Sequence, residues 1–284
     1  MKIAITGATG QLGELVIKAL LNKINASQII ALVRDEAKAD GLKQQGIELR
    51  HFDYDAPQTL VPALHGIDKL LLISANEIGR RTPQHKAVIE AAVQAGVPYI
   101  AYTSLLNAAH SPLGLAQEHR ETEALIKASG LDYTFLRNNW YSDNYLATVA
   151  QIAESGILYG ASQTGKISSA SRADYAEAAA QVLASKGHEH KTYELAGSES
   201  FTKADLAQFI ADASGKAVIY QNLTAAELTQ GLTQAGLPAP LIDVIVDADV
   251  QTAQGAMFSS SKDLEQLIGR KTTPIAEQIK ALFH

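Results

Sequence analysis

The chain contains no cysteine. Disulfides, thiolate nucleophiles and cysteine-ligated zinc are therefore excluded, and a reducing compartment is compatible with the fold. Aromatic residues make up only 6% of the 284 residues against a hydrophobic content of 46%, so the interior must be filled by aliphatic side chains. No apolar run reaches the ~20 residues that a membrane-spanning helix needs. Positive charge is not in excess: 24 Lys and Arg stand against 30 Asp and Glu, for a net charge of −6. That balance argues against a nucleic-acid binder or a protein of anionic membrane surfaces. The N-terminus is itself a strand-like run that leaves no room for a signal peptide, so the expected location is cytoplasmic. H-E-x-x-H, carboxylate clusters and G-x-S-x-G are all missing, which removes the usual zinc-protease and hydrolase readings. His188-x-His190 lies in a Gly/Glu/Lys loop and reads as solvated, and no metal is expected.

What is present begins at the first residue. Met1-Lys2-Ile3-Ala4-Ile5-Thr6 is an apolar, strand-like run that ends at Gly7, and Gly10 and Gly13 follow at three-residue steps through Ala8, Thr9, Gln11 and Leu12. Leu12, Val16 and Leu20 then mark one face of a helix. The order is strand, tight turn, helix N-terminus. Small residues there let the backbone approach a pyrophosphate, and the helix N-terminus offers it unpaired N–H groups and positive dipole. The spacing is G-x-x-G-x-x-G, so the signal rests on its context and not on the glycines alone.

Strand-like runs at 2–6, 29–33, 47–52, 69–73, 99–103 and 133–137 alternate with helical stretches near 12–22, 36–45, 57–64, 84–95 and 116–128. Repeated β-α units with nearly continuous apolar strands predict an α/β fold of the Rossmann type, a doubly wound parallel sheet covered on both faces. After that the pattern loosens into a strand near 156–159, a helix from 172 to 186, a strand at 192–195, a helix at 203–213, a strand at 217–220 and a mostly helical remainder. This predicts a dinucleotide-binding domain over residues 1–155 and a smaller α/β substrate-side lobe over 156–284, interleaved with the first.

The second strand ends Ala31-Leu32-Val33-Arg34. In Rossmann-type domains an acidic residue at this place binds the 2′-hydroxyl of NAD. Arg34 stands there instead, and a guanidinium pairs bidentately with a 2′-phosphate. Lys38 adds charge one helical turn on, so NADP(H) is the expected cofactor. Asp35-Glu36 next door leaves a ribose-binding, NAD-type reading open. Ser74 follows the fourth strand and is expected near the cofactor, because ligands sit beyond the carboxyl ends of such strands.

Short-chain dehydrogenases that act on carbonyls use a Tyr-x-x-x-Lys pair as proton donor. None of the ten tyrosines here has lysine four residues later. Even so, Thr6 to Gly13, the Arg34 strand end, Ala101-Tyr102-Thr103-Ser104 and Thr134-Phe135-Leu136-Arg137-Asn138 resemble the NmrA-like atypical short-chain dehydrogenases. Within that family, Ser111-Pro112-Leu113-Gly114-Leu115-Ala116, Glu118-His119 and Arg137-Asn138-Asn139-Trp140-Tyr141-Ser142 are similar to the bacterial NADPH:quinone oxidoreductases of type 2, with triphenylmethane reductases as neighbours. The resemblance implies NADPH binding and flavin-independent hydride transfer to a quinone or similar electrophile. It also implies that Gly7 to Leu12 form the phosphate loop, that Arg34 contacts the 2′-phosphate, and that Asn138, Asn139, Trp140, Tyr141, Ser142 and Asp143 line the nicotinamide end. NmrA-type regulators in the same family keep a second reading open, a redox sensor that binds NADP(H) with little turnover. An epimerase or dehydratase of nucleotide sugars ranks behind both, because those chemistries keep the tyrosine.

Quinone reduction needs proximity and orientation more than a strong acid, since the product hydroquinone is aromatic. His119, on the helix after the fifth strand, is the first candidate donor, because an ordinary imidazole titrates near neutrality. The same histidine reads equally as a packing or capping residue. Asn138 is placed to hold the nicotinamide carboxamide. Tyr141 with Trp140 offers an aromatic wall for the quinone, against a plain core role. One hydroxyl of Tyr102, Thr103 and Ser104 is expected to face the cofactor, without alternation deciding which. The assembly is expected to be a monomer or a homodimer.

Overall fold

The computed structural model describes residues 1–283. Seven strands form one sheet: β1 (Ile3–Ile5), β2 (Ile29–Val33), β3 (Glu48–His51), β4 (Lys69–Leu72), β5 (Tyr99–Leu105), β6 (Asp132–Asn138) and β8 (Lys191–Leu195). A second sheet holds β7 (Ile157–Gly160) and β9 (Ile219–Asn222). The helices are α1 (Gln11–Leu21), α2 (Asp40–Gln44), α3 (Leu60–Leu64), α4 (Arg81–Gln94), α5 (Ala116–Ala128), α6 (Ser142–Leu146), α7 (Val149–Ser155), α8 (Arg172–Ala184), α9 (Lys203–Ser214), α10 (Ala225–Gln234), α11 (Ala239–Ala253), α12 (Asp263–Ile268) and α13 (Ile275–Lys280).

The chain forms two compact units, and each is internally continuous in packing but not in sequence. The first comprises residues 1–109, 117–138 and 172–194. Its sheet runs β3-β2-β1-β4-β5-β6-β8, with parallel pairing from β3 through β6. Alternation along the strands separates two faces. Ala4, Ile30, Leu32, Leu70, Leu72, Ile100, Tyr102 and Phe135 join one buried cluster with residues of α3, α4 and α5. Ile3, Ile5 and Ile29 are equally buried and by alternation point the other way. On that side α1 and α8 pack together, with Val16, Ile17 and Leu20 buried on α1 and the small Ala176, Ala178, Ala179 and Ala180 buried on α8. The strand order reverses between β1 and β4, which makes the carboxyl ends of those two strands the topological switch point of the sheet.

The second unit comprises residues 110–116, 139–171 and 195–284, described here to 283. Its two-stranded sheet is parallel, and α9 packs on β9, α7 and α13. The Lys203 ammonium meets Asp249 Oδ2 at 2.7 Å with both side chains nearly buried, and Asp249 also accepts from the Ala161 N–H at 2.8 Å.

The units do not part the chain at residue 155. The helix over 172–186 and the strand over 192–195 were expected in the smaller lobe, yet α8 and β8 belong to the first unit, with β8 extending its sheet beside β6. Conversely, residues 139–155 fall with the second unit. Local periodicity identifies a strand but carries no information about which sheet edge completes its hydrogen bonds.

The β5–β6 end of the sheet is tied by a buried charge network. Arg137 donates from Nε and Nη2 to the two carboxylate oxygens of Glu123 at 2.9 and 2.7 Å, and from Nη1 to Glu194 at 2.7 Å. Those carboxylates push the Arg137 guanidinium further toward its charged form. Removing one partner of a buried pair strands the other. Glu123→Ala should lower unfolding free energy by about 3 kcal/mol or more in a denaturant titration. A loss below 1 kcal/mol would mean that Glu194 alone satisfies Arg137.

Candidate functional site

The loop after β1 is shaped by glycine at each step. Gly7 adopts φ +58°, a left-handed conformation that side chains rarely tolerate. The Gly10 N–H donates to the Gly7 carbonyl at 2.9 Å and closes the turn. Gly10 is then the N-cap of α1, and no side chain caps that end. A Cβ at Gly13 would lie 2.2 Å from the Gly7 oxygen and 2.9 Å from the Ala8 Cα. Ala8 and Leu12 are buried beneath the turn, Thr9 is half-buried, and Gly7, Gly10 and Gln11 are exposed. An anion at this helix end meets backbone N–H groups and positive dipole, with no side chain in the way. The cradle therefore fits the pyrophosphate of a dinucleotide.

Arg34 emerges exposed from the end of β2, next to β1 in the sheet, and Lys38 is exposed in the short 3-10 turn that follows. Asp35 uses its carboxylate to accept from the Ala37 N–H at 3.1 Å, capping that turn. It is thus engaged locally, which leaves Arg34 as the group that matches a 2′-phosphate.

At the switch point β4 stops pairing and side chains take over its backbone. Thr6 Oγ1 accepts the Ile73 N–H at 2.9 Å, and Thr103 Oγ1 accepts the Ser74 N–H at 2.9 Å. Ser74 is half-buried at this point. Tyr54 follows β3, and burial pushes its phenol up to about 12. Thr103 is one of the three β5 hydroxyls the sequence offers, whereas neither Thr6 nor Tyr54 is apparent in the sequence as a site-forming side chain. The available signal is a polar residue at the end of an apolar strand.

His119 lies on α5 and is buried. Its Nδ1 is 2.7 Å from the Tyr102 hydroxyl, and its Nε2 is 3.4 Å from Arg81 Nη1. Burial first, then the Arg81 charge and His85, lower its pKa well below the ordinary imidazole value. The expectation of a proton donor titrating near neutrality is therefore corrected: this imidazole is neutral at pH 7. His85 on α4 is also neutral, pushed down to about 3 by burial and then by Arg81. The three hydroxyls ending β5 are all used internally. Tyr102 meets His119, Thr103 holds Ser74, and Ser104 donates to Glu123 at 2.7 Å. Asn138 is buried at the last position of β6, where its carbonyl accepts the Leu106 N–H at 3.0 Å.

Residues 139–143 belong to the second unit. Asn139 is buried, and its amide nitrogen donates to the Ser168 and Met257 carbonyls, each at 2.9 Å. Both donors are spent on holding those segments, so its side chain is structural. Tyr141 bridges to Ala170 and precedes α6, while Ser142 is buried with its hydroxyl 2.9 Å from that of Ser169. Trp140 and Asp143 are half-buried. Gly7 to Gly13, Arg34, Lys38 and Ser74 thus gather at the carboxyl ends of β1, β2 and β4, with Asn138 ending β6 of the same sheet.

The family of proteins described as NAD(P)H-binding matches residues 7–186. The chain is 53% identical to quinone oxidoreductase 2 of Escherichia coli strain K12 over 282 residues, 99% of each chain. The crystal structure of the NADPH-dependent quinone oxidoreductase of that species, complexed with NADPH, superposes with a TM-score of 0.98 over 99% of this chain and 100% of that one. The triphenylmethane reductase of Citrobacter sp., complexed with NADP(H), matches at 41% identity and a TM-score of 0.95, covering 99% of both chains.

Two outcomes follow from this geometry. Gly13→Ala forces a methyl group into backbone that cannot yield, so the thermal midpoint should fall by several degrees, equivalent to about 1–3 kcal/mol. An unchanged midpoint would mean that the turn relaxes. The buried histidines also make the protein acid-labile. Their folded pKa values are depressed, so the unfolded chain binds more protons below about pH 6.5. Stability should then fall as pH drops from 6.5, for His85 down to about 3. Denaturant titrations at pH 7, 6 and 5 should show that decline, and His85→Gln should flatten it.

Proposed function

Because the chain belongs to the NAD(P)H-binding family, we propose that it is an NADPH-dependent reductase that passes a hydride directly to quinones without a flavin. The observation that carries the cofactor half is the uncapped Gly7–Gly10–Gly13 cradle beside exposed Arg34, at the end of the strand next to it. The acceptor half is supported by the full-length similarity to the E. coli quinone oxidoreductase.

Bound NADPH supplies the hydride, so that NADPH, a quinone and one proton become NADP⁺ and hydroquinone. The chain's own part is binding and orientation. The cradle and the α1 N-terminus hold the pyrophosphate. Arg34, helped by Lys38, pairs with the 2′-phosphate. Ser74 and Asn138, at the ends of β4 and β6, serve the nicotinamide side. The quinone becomes aromatic on reduction, so these groups need to align it more than to acidify it. Neutral His119 is hydrogen-bonded to the fully buried Tyr102, so its part is to hold that hydroxyl in place. The protein acts in the cytoplasm on a small electrophile, as a monomer or homodimer, with no nucleic-acid partner.

The deciding measurement is steady-state NADPH oxidation by flavin-free protein with a simple benzoquinone, beside NADH and a protein-free control. Saturable turnover above background, faster with NADPH, is expected. Arg34→Asp should raise the KM for NADPH by about 10- to 100-fold, the value of one or two charge-assisted bonds, and leave that for NADH nearly unchanged. Equal effects on both cofactors would remove Arg34 from the 2′-phosphate. Tight NADPH binding with background turnover would favour a redox sensor, the reading that the missing Tyr-x-x-x-Lys pair keeps in view.

A further inference from the structure

The segment from Ser74 to Arg80, between β4 and α4, has almost no secondary structure of its own. Its backbone is nonetheless held at both ends by side chains. At its start, the Ala75 N–H donates to His85 Nε2 at 3.0 Å, and the Ala75 carbonyl accepts from Arg81 Nε at 2.8 Å. At its far end one carboxylate does the work. Glu118, on the first turn of α5, accepts from the Gly79 N–H at 3.1 Å, the Arg81 N–H at 2.9 Å and the Thr82 N–H at 3.3 Å. Residue 80, the N-cap of α4, is an arginine whose side chain gives no cap and pairs instead with Asp55 and Glu77. Glu118 therefore supplies, from another helix, the acceptor that an N-cap serine or aspartate would supply locally.

The buried polar atoms behind this segment form two directed runs. His85 Nε2 accepts from Ala75, so its proton is on Nδ1, which donates to Thr122 Oγ1 at 2.9 Å. Thr122 passes its own proton to the Glu118 carbonyl at 2.8 Å. Arg81 can only donate, so His119 Nε2 is its acceptor and the His119 proton is on Nδ1, facing Tyr102. Both histidines are thereby fixed as Nδ1–H tautomers, while Ala75 is tied to α4 and Gly79 to α5.

We propose that Glu118 is a positioning residue which, together with His85 and Arg81, clamps the 74–80 segment so that Ser74 is presented at the switch point in a cofactor-ready conformation. The proposal rests on the reading of the chain as an NADPH-dependent reductase. It assigns to Glu118 no contact with cofactor or acceptor.

The test compares wild type, Glu118→Ala and Glu118→Gln at a temperature well below unfolding. Amide hydrogen exchange, measured without cofactor, should accelerate at Gly79, Arg81 and Thr82 in Glu118→Ala. The NADPH dissociation constant should rise about tenfold, in the range of one coupled site, while kcat at saturating NADPH changes less than twofold. Glu118→Gln keeps an acceptor oxygen and should recover most of the affinity. Imidazole 15N spectra of the wild type should show both buried histidines as Nδ1–H. A lowered thermal midpoint with unchanged NADPH affinity would overturn the positioning role, and so would unchanged exchange at the three amides. A wild-type protein that does not bind NADPH would instead overturn the reading of the function. The exchange data would still report whether the clamp exists.

Discussion

The contact between Gly13 and the Gly7 carbonyl is the constraint from which the site follows. A methyl group at residue 13 would sit 2.2 Å from that oxygen, so α1 can approach the end of β1 this closely only without one. The approach lets α1 begin directly off the strand with its first N–H groups uncovered. Gly7 at φ +58° turns the chain and Gly10 closes the turn, so the three glycines have three different physical jobs. A glycine count captures none of this. What recognises a pyrophosphate is the bare helix end that the close packing creates.

Around that turn the first unit solves a second problem. Parallel strands that part at a switch point leave backbone N–H groups without ladder partners. Thr6 and Thr103 take up two of them at the end of β4, and His85 takes up a third. The cost is a set of polar groups in a sheet otherwise lined by aliphatic side chains. They are tolerable because each is paired, and because both histidines are held neutral by burial and by Arg81. A neutral buried imidazole is a stable connector but a poor acid at pH 7. Hydride transfer to a quinone can dispense with such an acid, which fits the absence of the tyrosine–lysine pair.

Much of this was legible in the chain. The alternation of Ile3–Ile5, Ile29–Val33 and Lys69–Leu72 with amphipathic stretches identified the parallel sheet, and the glycines after β1 identified its ligand end. Arg34 was readable because its place, the end of the second strand, is defined by order along the chain. His119 was legible as a position but not as a chemical species. Nothing in its neighbours, Glu118 and Arg120, discloses that Arg81 and His85 approach it from another helix. The sequence places Asn139 with the residues of the nicotinamide end, whereas Ser168 and Met257, far away in sequence, consume both of its donors.

The sequence by itself determined what depends on neighbours within one turn or one strand. That includes strand and helix identity, the small residues after β1, the charge at the end of β2, and the lack of thiols and of a Tyr-x-x-x-Lys pair. Only the tertiary structure decided what depends on residues brought together from separate elements. It added β8 to the edge of the first sheet and turned Glu118 into the cap of α4. It joined Arg137 to Glu123 and Glu194, and it took two histidines out of the neutral-pH range. The physical reason is that periodicity records which side of an element is buried. Hydrogen-bond partners and the electrostatic setting of a buried group are properties of the packed assembly alone.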